Sequence, residues 1–188
     1  MRALSGLVTV TRVPNTAKIL SAPTEDDFPA CAYDKEGKLY VVYMAFTHGK
    51  GFAARPALTE EPKDLFFLAT PTGGDQIFLM RLDRDRWSDL LPVTPPGQDV
   101  FHPAVAIDGA GKVWVFWSAN VGENWDLYAR SLQGDKWSKT VRLTKDVGPD
   151  LSPVAATDAT GQVWVAWQAF RGKNSCILAL RQQESGFG

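Results

Sequence analysis

The sequence has few of the residues that tie small domains together. Of its 188 residues, two are cysteines (Cys31 and Cys176) and two are histidines (His48 and His102). Two cysteines provide neither a disulfide framework nor a multi-ligand metal site. The net charge is −1, with Lys and Arg scattered among the acids, whereas a nucleic-acid-binding surface needs clustered basic residues. No apolar run is long enough to cross a bilayer. We therefore predict no metal site and no nucleic-acid or membrane partner.

Motifs of the common enzyme classes are also missing. The sequence contains no glycine-rich phosphate loop, no H-E-x-x-H and no G-x-S-x-G. No window combines a helical hydrophobic period with helix caps, and the first ten residues lack the apolar core and cleavage site of a signal peptide. The sequence thus predicts an all-β protein without a cofactor and indicates no enzymatic activity. A hydrolase with paired carboxylates stays open, because Asp and Glu are common and loop geometry cannot be read from sequence.

What the sequence does contain is a repeat. One unit runs from Asp99 to Thr144, and a second follows at a shift of 50 residues. The two share a proline, an aspartate, a glycine, two tryptophans and an asparagine: Pro103/Pro153, Asp108/Asp158, Gly111/Gly161, Trp114/Trp164, Trp117/Trp167 and Asn124/Asn174. An earlier unit has its markers at a shift of 74, so it carries about 24 additional residues. A fixed period of this length is typical of repeat architectures.

Each unit contains two hairpins. The first turns at a D-x-x-G sequence, where Asp bonds the backbone ahead of it and Gly supplies a positive φ. An aspartate at this position could also bind calcium or act as a catalytic carboxylate, but the presence of one in every unit favours a role in the turn. The strand after the turn, Lys112–Trp117 or Gln162–Trp167, is dense in Val and Trp and predicts burial on both faces. The second hairpin predicts outer strands over Trp87–Thr94 and Lys136–Thr144.

Four antiparallel strands per unit predict a β-propeller blade. We assign a partial blade to residues 5–21, a blade with an insertion (47–74) to 28–94, a second to 101–144, and a third, lacking its last strand, to 151–187. Closed propellers have four to eight blades. These thirteen strands therefore predict an open arc of about three blades, either a part of a larger protein or half of a six-bladed ring. The insertion is either a lid or partner contact, or an extension of its hairpin.

Cys31 occupies the strand position that Val105 and Ala155 hold in the other units. This position predicts a small, buried, apolar role for the side chain. Nothing in the sequence pairs Cys31 with Cys176.

Candidate binding residues lie where the first strand of each unit begins, since loops on a rigid scaffold carry function. Aspartates ahead of the recurrent proline would bind a cation or a sugar hydroxyl, or would cap the turns between blades. His102 is either a ligand-binding residue or a structural one. Trp125 would stack on a sugar ring, and because its equivalents are Asp75 and Ser175 the fold does not demand it. The full set is Asp27, Asp99, Phe101, His102, Asn124, Trp125, Asp150 and Arg171.

The pattern D-x-x-x-P-A-x-A-x-D-x-x-G-x-V-W-V-x-W, followed by N-W-D-L-Y-A-R and G-x-x-W-S-x-x-x-x-L-T, resembles TolB-type and sialidase-like six-bladed propellers. In particular it looks like the repeats of bacterial exported proteins in which such a propeller precedes a metal-dependent PHP-like hydrolase domain. The resemblance implies a propeller fold and a periplasmic or extracellular location. The sialidase S-x-D-x-G-x-T-W box and an arginine triad are missing, so the resemblance assigns no catalytic residues here.

Three hypotheses for function follow. The first is a non-catalytic binding or scaffolding module for polysaccharide or for a neighbouring protein domain. The second is a glycan-acting hydrolase, which requires Asp27, Asp99 and Asp150 to converge near His102 or Trp125. The third is a structural half-ring that acts by assembly, with a homodimer completing the ring.

Overall fold

The computed structural model describes residues 18–51, 60–61, 73–184 and 186–187. Within these residues it contains thirteen β-strands and no helix, which confirms the predicted all-β class. It follows that no described segment is a long apolar helix of the kind that spans a membrane.

The strands form three antiparallel sheets in chain order. Sheet 1 contains β1 (Glu25–Tyr33), β2 (Leu39–His48), β3 (Gly73–Asp83), β4 (Arg86–Trp87) and β5 (Leu91–Pro92). Sheet 2 contains β6 (Val100–Ile107), β7 (Val113–Val121), β8 (Asn124–Gln133), β9 (Lys136–Trp137) and β10 (Val141–Arg142). Sheet 3 contains β11 (Asp150–Thr157), β12 (Val163–Arg171) and β13 (Asn174–Arg181). This is the predicted segment of about three propeller blades.

The outer strand of sheets 1 and 2 differs from the prediction, because each is split into two two-residue strands. A serine interrupts the ladder in both sheets. In sheet 2 the Ser138 hydroxyl accepts a hydrogen bond from Ser131 N at 3.0 Å and donates one to Lys139 O at 2.9 Å. Ser88 makes the same pair of bonds in sheet 1. A side chain that bonds the backbone locally replaces regular strand pairing.

The sheets stack face to face, with β6 lying between β1 and β11. One core lies between sheets 1 and 2 and includes Val42, Ile77 and Val115. A second lies between sheets 2 and 3 and includes Phe116 and Val165. These side chains are fully buried, and each such burial contributes roughly 1.5–3 kcal/mol.

Burial of the central strands depends on whether a sheet has neighbours on both sides. As predicted, β7 is buried on both faces. In β12, however, buried residues alternate with more exposed ones, because only one face of sheet 3 is covered by described residues. Trp164 is consequently 42% exposed, whereas its equivalent Trp114 is 6% exposed.

The D-x-x-G sequences form the tight turns that were predicted. Asp108 Oδ1 accepts bonds from Ala110 N at 3.0 Å and Lys112 N at 2.9 Å, and Gly111 adopts a φ of 79°. The other carboxylate oxygen accepts a bond from the Trp114 indole at 3.0 Å. Asp158 and Trp164 repeat this arrangement. An aromatic six positions after the aspartate therefore secures each turn to its central strand, and this pairing was missed by sequence reasoning.

Three further predictions concern the partial blade, the insertion and Cys31. Most of the predicted partial blade 5–21 and most of the insertion 47–74 lie outside them, so the residue ranges assigned to blades remain a proposal. Residues 18–21 form no strand, although Leu20 packs on the outer face of sheet 1. The predicted burial of Cys31 is wrong, because its side chain is exposed: it pairs with Val41 on the outer face of sheet 1, away from sheet 2.

Candidate functional site

The candidate site lies where the three inner strands β1, β6 and β11 begin, at their N-terminal ends. Each of these strands contains a one-residue bulge, at Phe28-Pro29, His102-Pro103 and Ser152-Pro153. Bulges re-aim side chains and are frequent next to functional sites. We call this end of the sheets the mouth.

All three bulges have the same unusual backbone. Phe28, His102 and Ser152 adopt φ values of 52°, 53° and 55°. This left-handed conformation costs an L-residue roughly 1–2 kcal/mol, and a residue before proline ordinarily prefers an extended conformation. The surrounding sheets therefore hold three strained residues at equivalent positions of the repeat.

An aromatic cluster lies at the mouth, and we call Phe28, Phe101, His102 and Trp125 the mouth cluster. The ring centre of Phe28 lies 4.8 Å from that of Phe101 and 4.8 Å from that of His102. Phe101 contacts Trp125 edge to face at 6.2 Å. All four side chains are half-buried. The cluster therefore joins the beginnings of β1, β6 and β8 into one partly exposed aromatic surface.

A cavity of about 300 Å³ opens beside the mouth cluster. Its lining is almost entirely apolar: Phe28 and His102 line it together with the three recurrent prolines, Pro29, Pro103 and Pro153. His102 Nδ1 is buried and has no hydrogen-bond partner among the described residues. Buried polar atoms are almost always paired, so this nitrogen requires a partner that the described residues do not supply.

The three candidate aspartates occupy three different positions of the repeat. Asp27 directly precedes its bulge, as Phe101 does in sheet 2. Asp150 lies one residue earlier, and Asp99 two residues earlier, relative to their own bulges. Because successive side chains of a strand point to opposite faces, Asp27 and Asp150 project from opposite faces of their sheets. Equivalence within the repeat therefore does not bring the three carboxylates together.

Asp150 and Arg171 form a buried internal pair. Asp150 is fully buried, and its Oδ1 accepts bonds from Arg171 Nη2 and from the Trp167 indole, both at 2.7 Å. Arg171 also pairs with Asp146 at 2.9 Å. Burial tends to lower the pKa of Arg171, but the bond to Asp150 and the charges of Asp150 and Asp146 raise it overall. Both predicted site residues thus hold sheet 3 to the preceding loop.

Two other predicted site residues also make internal bonds. Asp99 Oδ2 accepts a bond from Asn120 Nδ2 at 2.8 Å and remains exposed. Asn124 donates to the backbone oxygen of Asp146 at 2.8 Å. Asn124 therefore supports the same loop as Arg171 and is not available as a separate contact.

The rim of the mouth is acidic. Exposed carboxylates at the start of β1 and β6 include Glu25, Asp26, Asp27 and Asp99. The charge of Asp99 also acts on Asp75: burial raises the pKa of Asp75 most, the bond from Val100 N opposes this, and the Asp99 carboxylate adds a smaller rise, so the pKa is raised overall. Sequence reasoning placed Asp75 as the equivalent of Trp125 but did not identify this crowding of like charges.

A larger cavity of about 920 Å³ lies at the opposite end of the inner strands, lined by the three D-x-x-G turns. The three turn aspartates there already accept backbone bonds, and Asp108 and Asp158 also accept indole bonds. Across the described residues, no group of three or more His, Cys, Asp or Glu side chains is placed to hold a metal ion. The smaller cavity at the mouth is therefore the better candidate site.

The structure brings together Phe101, His102 and Trp125 from the predicted set. It adds Phe28, which sequence reasoning missed although the repeat places it at the position of His102. The signal that would have found it is the comparison of residues preceding the recurrent proline: Phe28, His102 and Ser152.

No protein-family model and no curated protein matches the sequence. Among solved structures, the chain is similar to the Hadza microbial sialidase Hz136, with a TM-score of 0.59 and 16% identity over 86% of this chain. It is also similar to a protein of unknown function from Dyadobacter fermentans DSM 18053, with a TM-score of 0.63 and 14% identity over 93% of the chain. A third similar structure is the endo-arabinase from Bacteroides thetaiotaomicron VPI-5482, with a TM-score of 0.50 and 12% identity over 82%.

These similarities identify the fold as a sialidase-like β-propeller in partial form. The matches span only 36%, 52% and 55% of the three solved chains, respectively, so this chain corresponds to between about a third and just over half of each. At such low identity the likeness concerns the fold alone, and function has to be argued from the mouth.

Proposed function

We propose that this chain is a non-catalytic β-propeller segment that binds carbohydrate at the mouth cluster. The observation that carries the proposal is the half-exposed aromatic surface of Phe28, Phe101 and Trp125 beside a small cavity with an unpartnered His102 nitrogen. Sugar rings present apolar C–H faces that pack on aromatic rings, and their hydroxyls pair with isolated polar groups. Two of the structures with a similar fold are named as a sialidase and an endo-arabinase, which supports carbohydrate as the ligand class.

Binding is better supported than hydrolysis. A paired-carboxylate hydrolase needs two carboxyl groups that face one substrate bond. Asp150 is fully buried against Arg171. Asp27 and Asp150 also project from opposite faces of their sheets, so they do not face one substrate bond. The placement of these carboxylates thus favours a role in holding the ligand.

A glycan array of immobilised oligosaccharides tests the proposal, with the purified 188-residue chain as the analyte. Trp125→Leu is expected to weaken binding about 3- to 10-fold, the value of one aromatic contact. Tyr33→Leu is the matched control, because Tyr33 is an exposed aromatic at the other end of β1. Absence of glycan binding by the unaltered chain, or equal losses in both variants, would contradict the proposal.

Assembly is a second candidate function, supported by the uncovered face of sheet 3. Val154 and Ile177 on this face are 60% and 74% exposed. Their equivalents in sheet 2, Ala104 and Leu127, are 4% and 0% exposed because sheet 3 covers them. The interfaces between sheets 1 and 2 and between sheets 2 and 3 are both apolar, and the exposed apolar face of sheet 3 is suited to pack against another sheet in the same way. We propose that a second copy of the chain supplies that sheet.

Light scattering over a concentration series tests assembly. We expect a dimer for the unaltered chain and a monomer for Ile177→Lys, because a lysine ammonium is too costly to bury in an apolar interface. Val147→Lys is the control, since Val147 is 98% exposed in the loop between β10 and β11. A monomer at all concentrations would contradict the assembly proposal.

The resemblance to exported TolB-type proteins with a PHP-like domain supports two finer proposals. The first is a periplasmic or extracellular location, and the second is a neighbouring domain as an additional partner. Cell fractionation of the native protein tests the location, and a cytoplasmic pool alone would contradict it.

A further inference from the structure

The three bulge residues are unusual because their backbone is constant while their side chains are not. Each is in the left-handed region and each precedes a proline. Glycine adopts this conformation without the steric penalty, and a chain that needed only the bend would be served by it. The repeat instead has Phe28, His102 and Ser152 at these positions. Persistent strain of this kind is characteristic of residues kept for their side chains.

The side chains at two of these positions reach the mouth. Phe28 and His102 contact each other and line the cavity of about 300 Å³. Ser152 holds the equivalent position on β11, directly before Pro153, which lines the same cavity. The bulges of β1 and β6 thus present an aromatic ring and an imidazole at one opening, and β11 carries a hydroxyl at the equivalent bulge position.

We infer that Phe28, His102 and Ser152, the bulge triad, determine which sugar the mouth accepts, and that the ligand is a single neutral sugar ring at the end of a glycan. This inference rests on the proposed function and names the ligand class and the residues that select it. Phe28 packs on the sugar face, the free His102 Nδ1 bonds a hydroxyl, and Ser152 contacts the ring from the third strand.

Size and charge specify the ligand further. A cavity of about 300 Å³ is at the lower limit of ligand sites, so its size fits one sugar ring. The rim carries the exposed carboxylates Asp26, Asp27 and Asp99. Like charges repel, and the repulsion is largest where water is partly excluded. An anionic sugar is therefore disfavoured relative to a neutral one.

The strain itself has a test that needs no ligand. Ser152→Gly removes the penalty of the left-handed conformation, whereas Ser152→Ala keeps the penalty and removes the same hydroxyl. We expect Ser152→Gly to unfold at a higher urea concentration than Ser152→Ala. An equal or lower midpoint for the glycine variant would overturn the argument that strain is retained for the side chain.

Titration calorimetry tests the selectivity, with methyl glycosides of L-arabinose, D-galactose, D-glucose and D-mannose as neutral probes and that of N-acetylneuraminic acid as the anionic probe. At least one neutral glycoside should bind more tightly than the anionic one. His102→Phe and Phe28→Leu should each weaken it about 3- to 10-fold and change the order of preference among the neutral sugars. Phe170→Leu is the control, since Phe170 is a partly exposed aromatic that does not line the cavity.

The outcomes separate this inference from the proposed function. Binding that keeps its affinity and sugar preference in the triad variants overturns the inference and leaves the carbohydrate-binding proposal standing. Tighter binding of N-acetylneuraminic acid overturns the neutral-ligand inference alone. If the unaltered chain binds no glycan on the array and no glycoside in solution, both are overturned.

Discussion

Substitution at Gly161 gives the sharpest test of how sheets 2 and 3 are held together. Gly109 N donates a hydrogen bond to Gly161 O at 2.7 Å, so the two turns touch through their backbones. A Cβ on Gly161 would lie 2.7 Å from Gly109 Cα, and Gly161 has a φ of +83°. Gly111 holds the same turn position one unit earlier with a φ of +79°, but a Cβ there meets no atom within 4 Å. Comparing the two alanine variants therefore separates steric conflict from backbone strain.

The expected magnitudes follow from these distances. Gly111→Ala incurs only the left-handed penalty of roughly 1–2 kcal/mol, reduced by about 0.4–1 kcal/mol because alanine has less freedom in the unfolded chain. Gly161→Ala incurs the same penalty. In addition it loses the Gly109–Gly161 bond, worth about 1 kcal/mol, and forces a backbone shift that costs roughly 1–3 kcal/mol. We therefore expect Gly161→Ala to be about 2–4 kcal/mol less stable than Gly111→Ala.

Urea denaturation followed by tryptophan fluorescence measures this difference, because the midpoint shifts with stability when the slope m is unchanged. Equal m values for both variants are the control for a common unfolded state. If the two variants are destabilised equally, within about 0.5 kcal/mol, then the contact between the two turns does not hold the sheets together.

Three further predictions concern buried polar groups. Burial would raise the pKa of Asp108, but the bonds donated to its carboxylate lower the pKa below the ordinary value of 3.8. The ionised form therefore contributes stability that is present above pH 3.8 and is lost as the pH falls through the lowered pKa. Asp108→Asn should melt at a lower temperature than the unaltered chain at pH 7, and a difference in melting temperature that stays constant to acidic pH would contradict this. Arg171→Met leaves the fully buried Asp150 without its cation and should destabilise the chain by about 3–5 kcal/mol in urea titrations, where a loss under about 1 kcal/mol would refute the pair's importance. Thr144→Val removes the hydroxyl that accepts a bond from buried Leu127 N at 2.9 Å and should cost about 1–3 kcal/mol, and an unchanged midpoint would show that the bond is dispensable.

Much of the architecture was predictable because its signals are local. The D-x-x-G turn is stabilised by bonds within five residues, as Asp108 with Ala110 and Lys112 illustrates. Alternating Val and Trp in β7 and β12 report burial through the two-residue period of a strand. Since these signals recur at fixed shifts, the propeller-like arrangement follows from them.

Predictions that depended on neighbours were less successful. Cys31 is exposed although its equivalent Val105 is buried, because the repeat states which position a residue holds and not whether another sheet covers it. The split outer strands depend on serine hydroxyls such as that of Ser138, whose capacity to replace a ladder bond is not visible from strand propensity. The pairing of Asp150 with Arg171 joins residues on different strands, and neither residue type alone indicates it.

The sequence by itself determined the repeat, the turns and the β class, because these depend on side-chain periodicity and on residues close in the chain. Only the tertiary structure decided what meets at the mouth. Phe28 and His102 are 74 residues apart in the sequence, and their rings lie 4.8 Å apart because adjacent sheets stack and each inner strand bulges at the same level. A bulge reverses which face a side chain takes, so the composition of the site is a property of the packed sheets.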